Sequence, residues 1–345
     1  MKYRIAIIRG IAATFAMLVI ILDTKTAIVS AQDGLQLCIR TVIPSLFPFF
    51  VLSGLVNSCL LGHNAVILRP LGRFCKIPKG SESLLILGFL AGYPVGAQLI
   101  THSYRDGRLS AQTARRMLGF CNNAGPAFIF GILSPLFENT ETVWILWGVH
   151  IVSALITAKI LPANTSNDAE ISCGNFISFS DSLQRALRAM ASVCGWVIIF
   201  RVIIGFCSRW FLWLFSYELQ VLFSGVLELT NGCVLLQNVP QQGLRFLLAV
   251  AMLSFGGICV GMQTISVTGD LGPGLYFPGK ALQATISVMF CVLLQPVIFG
   301  GTAYILPPAT LITSCVFTLL ILTFILRRKK VVAFPEKLLY NTNNQ

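Results

Sequence analysis

The sequence predicts an all-α fold: a polytopic transmembrane helical bundle with two internal repeats, each containing a broken, re-entrant hairpin. Three observations carry this. The 345 residues are 55% hydrophobic and only 11% charged, where soluble domains carry about 25% charge, and the mean hydropathy is +0.79. Several apolar runs approach the roughly 20 residues a helix needs to cross a bilayer. One such run, Leu84 to Ile100, is interrupted by Gly92-Tyr93-Pro94-Val95-Gly96. Proline lacks a donor N–H and clashes with the preceding turn, so a straight helix stops or kinks there.

The elements follow in order. Lys2, Arg4 and Arg9 precede an apolar run to Leu22; a retained first helix is preferred to a cleaved signal with a weak site at Val29-Ser30-Ala31. Spans are predicted at Ile5–Leu22, Thr41–Leu61, Met117–Phe137, Val143–Leu161, Ala189–Cys207, Lys280–Phe299 and Tyr304–Leu326. Leu84–Ile100 and Arg245–Thr268, the latter interrupted by Gly256-Gly257 and Gly261, are predicted broken. Trp210–Leu227 reads as an interfacial helix. The resulting division is an N-terminal helix (1–32), a first repeat (33–162), a polar linker (163–180), a second repeat (181–326) and a basic, mostly disordered tail (327–345).

Charge places the broken run. Arg69, Arg73, Lys76 and Lys79 precede it, and Arg105, Arg108, Arg115 and Arg116 follow it. Basic loops prefer the cytoplasmic side. A segment that enters, turns at its glycines and leaves keeps both clusters there. The net charge of +12 has the same topological explanation. No soluble basic face with base-reading residues is present, so nucleic acid is not a predicted partner.

The repeat rests on two matches. Asp33-x-Leu35-Gln36-x-x-x-Arg40 corresponds to Asp181-x-Leu183-Gln184-x-x-x-Arg188, and Gly92-x-x-Val95-Gly96-x-Gln98 to Gly257-x-x-Val260-Gly261-x-Gln263. Repeats with one broken segment per half are a signature of secondary transporters. The basic loop before the first break, set against the balanced stretch Arg209–Arg245, favours inverted repeats; the basic tail Arg327–Lys330 argues the other way.

Candidate site residues follow from the breaks. Gly92, Gly96, Gly257 and Gly261 suit hairpin tips, where half-helix N-termini offer N–H donors to a carboxylate; the competing reading is close helix packing. Gln98 and Gln263 either hydrogen-bond a substrate or bridge helices. Asn122 and Asn123, before Pro126, either cap a helix or face the site from an unwound stretch. Thr230 and Asn231, candidates to hydrogen-bond a substrate, follow Glu228, a carboxylate near hydrocarbon that needs protein or water around it. Glu228 is a candidate for coupling-ion binding or for gating against Arg201, with an interfacial turn and a snorkelling arginine as the alternatives.

His150 is expected to hydrogen-bond a neighbour rather than act as a ligand. The eleven cysteines show no C-x-x-C spacing, and neither metal nor disulfide is predicted. No catalytic triad, carboxylate pair or phosphate loop is present, so no enzyme and no cofactor is expected. A coupling ion, Na⁺ or H⁺, and homo-oligomer formation are left open.

The segments VIPSLFPFFVLSGL (42–55), GFLAGYPVGAQ (88–98), CNNAGPAFIFG (121–131) and ELTNG (228–232) resemble the sporulation integral membrane protein YlbJ family. That family lies within the nucleoside-recognition, or Gate, group, which is similar to the core of concentrative nucleoside transporters. The resemblance covers most of the chain after the first helix. It implies export of dipicolinate from the mother cell towards the forespore, across the outer forespore membrane, and two hairpins of opposite orientation around a midplane site. Two alternatives stay open: a transporter of nucleosides or other neutral solutes with the same fold, and a non-transporting membrane scaffold in spore assembly.

Overall fold

The computed structural model describes residues 2–60, 66–163, 177–304 and 323, and every regular element among them is helical. The linker residues 164–176, His63, most of the predicted span Tyr304–Leu326 and the basic tail lie outside the described residues.

Helix α1 (Lys2–Leu22) leaves Ile8, Ile11, Phe15 and Ile21 outward, as a lipid-facing helix does. α2 (Thr24–Leu37) starts where the Asp23 carboxylate accepts the Thr26 N–H, an N-cap that supplies one of the helix's orphan donors with an acceptor. A π-helical turn at Cys38–Val42 joins it to α3 (Ile43–Leu60). The span predicted from Thr41 therefore begins at Thr24. Hydropathy alone missed this stretch because Lys25, Asp33 and two glutamines dilute it, although its helical period is unbroken.

α4 (Arg69–Cys75), α5 (Glu82–Leu90), α6 (Val95–Arg105) and α7 (Ala111–Met117) come next. α5 and α6 flank the predicted break, where Gly92 takes φ +81°, a region only glycine enters freely. The two helices fold back on each other. Side chains at Gly88 or Gly96 would both strike the same atom, the carbonyl oxygen of Cys121. In a straight helix, residues eight apart would be about 12 Å from each other. The basic clusters on either side of the break meet at one end of the fold: Arg116 donates to the carbonyls of Cys75 (2.8 Å) and Lys76 (3.2 Å).

The predicted span Met117–Phe137 is corrected. α7 stops at Met117, residues 118–125 are not helical, and only α8 (Pro126–Phe128) with its continuation to Leu136 resumes the helix. Asn122, Asn123, Gly125 and Pro126 break it, and their polar groups are used elsewhere.

α9 (Thr140–Ile160) and α10 (Phe179–Trp210) are long and apolar. α10 runs antiparallel along α2 and α3. Gly34 meets Ile198 and Arg201, Gly205 meets Ser30, and the Ser182 hydroxyl donates to the Val51 carbonyl at 2.6 Å. Small residues let membrane helices approach closely.

α11 (Tyr217–Leu227) and α12 (Leu229–Leu235) fold back with Glu228 between them, Gly225 lying against Gly232. The stretch predicted as one interfacial helix thus contributes the first arm of a helical hairpin. α13 (Gln242–Phe255) and α14 (Gly257–Thr268) are separated at Gly256 (φ +82°) and Gly257 (φ +80°). The break falls where predicted, but its arms do not close into a hairpin. α13 packs on α9 and α15 (Tyr276–Phe299), while α14 packs on α6, α10 and α11. In the second half, the folded-back pair is α11 and α12.

Among the described residues, five segments are long and apolar enough to cross a membrane: Thr24–Val56, Thr140–Ile160, Phe179–Trp210, Gln242–Leu271 and Tyr276–Phe299. The protein is an all-α polytopic membrane bundle.

Candidate functional site

The two breaks meet. Tyr93, in the first break, donates its hydroxyl to the Leu253 carbonyl at 2.9 Å, just before the second. A Cβ on Gly256 would lie 3.0 Å from the Tyr93 oxygen and 3.2 Å from that of Tyr276. A Cβ on Gly257 would lie 3.3 Å from the backbone nitrogen of Leu229, so the tip of the α11–α12 hairpin reaches the same place. Glycine at 256 and 257 answers both the positive φ and this crowding. The Tyr276 hydroxyl is fully buried and, among the described residues, has at most a weak contact with Thr264, which is uncommon for a buried polar group.

Lys280 enters this junction from the first turns of α15. Its side chain is fully buried. Nζ donates to the amide oxygens of Asn123 (2.7 Å) and Gln283 (2.8 Å) and lies 5.4 Å from the centre of the Tyr93 ring. The described acidic residues form ion pairs elsewhere or lie apart; none pairs with it. An ammonium removed from water without an opposite charge is costly, and amide oxygens compensate only in part.

A closed hydrogen-bonded ring supports Lys280. Ala124 N–H points at His150 Nε2 (3.3 Å), which makes Nε2 the acceptor and leaves the proton on Nδ1, towards Ser254 Oγ (3.3 Å); the tautomer is assigned from these partners. Ser254 donates to Ser287 (2.7 Å), Ser287 to Ser153 (2.6 Å), and Ser153 to the His150 carbonyl (3.1 Å). Gln283 Nε2 also donates to that carbonyl (3.1 Å). The ring ties α9, α13 and α15 together, and its satisfied buried polar groups fix the helices' relative positions.

The predicted residues divide around this centre. Asn123 is at its heart, holding Lys280 while its own amide donates to the Phe120 carbonyl at 2.6 Å. Asn122 accepts the Ala97 N–H (3.3 Å) and donates to Thr264 (3.0 Å). It therefore caps α6, not the helix that follows it, and links the two broken segments. Gly92 faces Gly125, Gly96 faces the Cys121 carbonyl, and Gly261 faces the Phe277 ring. Gln263 is buried and its amide contacts Cys259 Sγ at 3.4 Å, whereas Gln98 is half-buried on another face of α6 and lines a cavity. The matched glutamines therefore occupy different environments.

Thr230, Asn231 and Glu228 form a local unit. The Glu228 carboxylate accepts the N–H groups of Thr230 (3.0 Å) and Asn231 (2.7 Å) and the Asn231 amide (2.7 Å), so it caps α12. The gating pair is corrected: Arg201 bonds Asp33 at 2.8 Å on the outer seam between α2 and α10. Asp33 is the partner because α10 packs along α2, a long-range contact that hydropathy does not reveal.

Sequence reasoning missed Lys280, Tyr93, Tyr276 and Gln283 as site residues. Lys280 was visible only as the boundary of an apolar run. Its signal was the absence of any acidic residue from Lys280 to Phe299. His150 makes the neighbour contacts expected of it.

In comparison with known proteins, the chain is 24% identical over 329 residues to the sporulation integral membrane protein YlbJ of Bacillus subtilis (strain 168), covering 81% of this chain and 80% of that protein. This supports the resemblance to the YlbJ family that the motifs carry. No family model matches the chain, and no solved structure matches it.

Proposed function

We propose that the protein moves a small organic anion across a membrane, and that the anion is dipicolinate passing from mother cell towards forespore through the outer forespore membrane. The observation that carries this reading is Lys280: a buried lysine amine, held by amides and an aromatic face, with no carboxylate partner among the described residues. A carboxylate substrate supplies the missing charge. The Tyr276 hydroxyl and the N-terminus of α14, at the positive end of its helix dipole, add polar groups at the same junction. Broken helices that meet inside a bundle are the usual construction of such sites. The similar Bacillus protein is named for sporulation and for the membrane, which fits this setting.

The test is the dipicolinate content of spores from a strain lacking its own copy, complemented with the wild-type chain or with Lys280→Met, while dipicolinate synthesis is shown to continue in the mother cell. Wild type restores the content and Lys280→Met leaves it at about a tenth or less, the loss of one charge-assisted contact. Full dipicolinate with Lys280→Met at normal expression would remove Lys280 from the site.

A further inference from the structure

A cavity of about 320 Å³ lies between α6, α3 and the first turns of α10. Val95, the first residue of α6, lines it, so it reaches the first break. Its polar lining includes Gln98, His102, Ser103, Arg108, Ser182 and Arg185, with Asp106 beside Arg108. This is the end of the fold where the basic clusters gather.

The donors there outnumber the acceptors. Arg108 meets Asp106 at 3.5 Å, and the Ser182 hydroxyl is committed to Val51. The side chains of Arg185 and His102 have no ion pair or hydrogen bond among the described residues. Ser103, only 1% exposed, has a buried hydroxyl without a partner among the described residues. Burial, then the neighbouring Arg185 guanidinium, holds the His102 imidazole below its ordinary value. An unpaired guanidinium beside an imidazole, a second arginine in the same lining, an unmet hydroxyl and a free amide make a site for negative charge. The planar guanidinium fork matches a carboxylate in two-point contact, and the volume suits a small ring compound.

We propose that this cavity is a second anion site, an entry vestibule in which Arg185 and Arg108 receive a carboxylate and Gln98, His102 and Ser103 hydrogen-bond it. The vestibule role rests on the transport reading above; the binding site does not.

The full-length protein in lipid nanodiscs, titrated calorimetrically with dipicolinate, tests this. Lys280→Met keeps binding at the cavity. Arg185→Gln, on an exposed position of α10 where folding is checked by melting and size exclusion, weakens that binding about tenfold or more, as loss of a charge-assisted pair does. Arg185→Lys keeps part of it, and His102→Gln with Ser103→Ala weakens it further. Unchanged affinity in Arg185→Gln and in the double variant overturns the site. Discs of phosphatidylcholine and of phosphatidylglycerol separate the sources of negative charge: if the anionic lipid abolishes dipicolinate binding, the cavity holds a headgroup and the proposal falls. Proteoliposome uptake separates the two readings. Binding that Arg185→Gln weakens, with no transport by wild type, keeps the site and removes the proposed function. Transport whose half-saturation is unmoved by Arg185→Gln keeps the function and removes the vestibule.

Discussion

Tyr93 and Leu253 lie 160 positions apart in the chain, yet the Tyr93 hydroxyl donates to the Leu253 carbonyl at 2.9 Å. That carbonyl belongs to the last turn of α13, where helix ends leave acceptors unmet. One hydrogen bond therefore ties the first break to the second, and the same ring lies near Lys280.

Tyr93→Phe removes this bond and keeps the ring. A buried carbonyl then loses its partner, at a cost of about 1–3 kcal/mol. The melting temperature in detergent falls, and transport falls less than in Tyr93→Leu, which also removes the aromatic face under Lys280. Equal transport in the two variants would show that the ring contributes nothing.

Gly88→Ala drives a methyl group into the Cys121 carbonyl. Backbone cannot give way as a side chain does, so the expected cost is at least about 1–3 kcal/mol, the usual range for overpacking. Gly148→Ala is the control. Its Cβ meets nothing within 4 Å in the middle of α9, and it stabilises by up to about 1 kcal/mol. Thermal melts of the two proteins should move in opposite directions.

Arg116 is buried in the fold and donates to Cys75, Lys76, Ala158 and Leu161. These carbonyls are at or near the C-terminal ends of α4 and α9, where a cation is also favoured by the helix dipole. Arg116→Met leaves them unpaired and lowers stability by about 3 kcal/mol or more. Arg116→Lys recovers little, since an ammonium lacks the planar fork. Yield of folded protein from membranes and its melting temperature read this out.

Glu228 and Arg201 separate by the same measurements. Glu228→Ala removes the cap of α12 and costs about 1–2 kcal/mol, with Glu228→Gln costing less because one amide oxygen still accepts. Arg201→Gln breaks a partly exposed pair with Asp33 and leaves dipicolinate loading at the wild-type level. Loss of loading in Arg201→Gln at normal expression would return Arg201 to the transport path.

Much of the fold was readable from particular residues. Gly92 with Pro94, and Gly256 with Gly257, interrupt apolar runs by local backbone chemistry, and both breaks are where those residues stand. Met117–Phe137 misled because hydropathy sums over a window: Asn122 and Asn123 are outweighed by the apolar residues around them. Which arms fold back is not local either. The α11–α12 hairpin depends on Gly225 meeting Gly232, and the open α13–α14 break depends on α13 siding with α9 and α15. Lys280 was hidden for a different reason. A lysine before an apolar run has the appearance of an interfacial anchor, and only the tertiary placement of Asn123 and Gln283 shows that it lies inside.

The clasp of Gly88 and Gly96 on the Cys121 carbonyl has a consequence for inheritance. Both glycines and the unwound stretch they hold are constrained by main chain touching main chain, which no compensating side-chain change can relieve. The two glycines are therefore bound to be kept together, whichever residue supplies the carbonyl at position 121. Among distant descendants of this chain, the pair of glycines eight apart should outlast every side chain that the clasp serves to position.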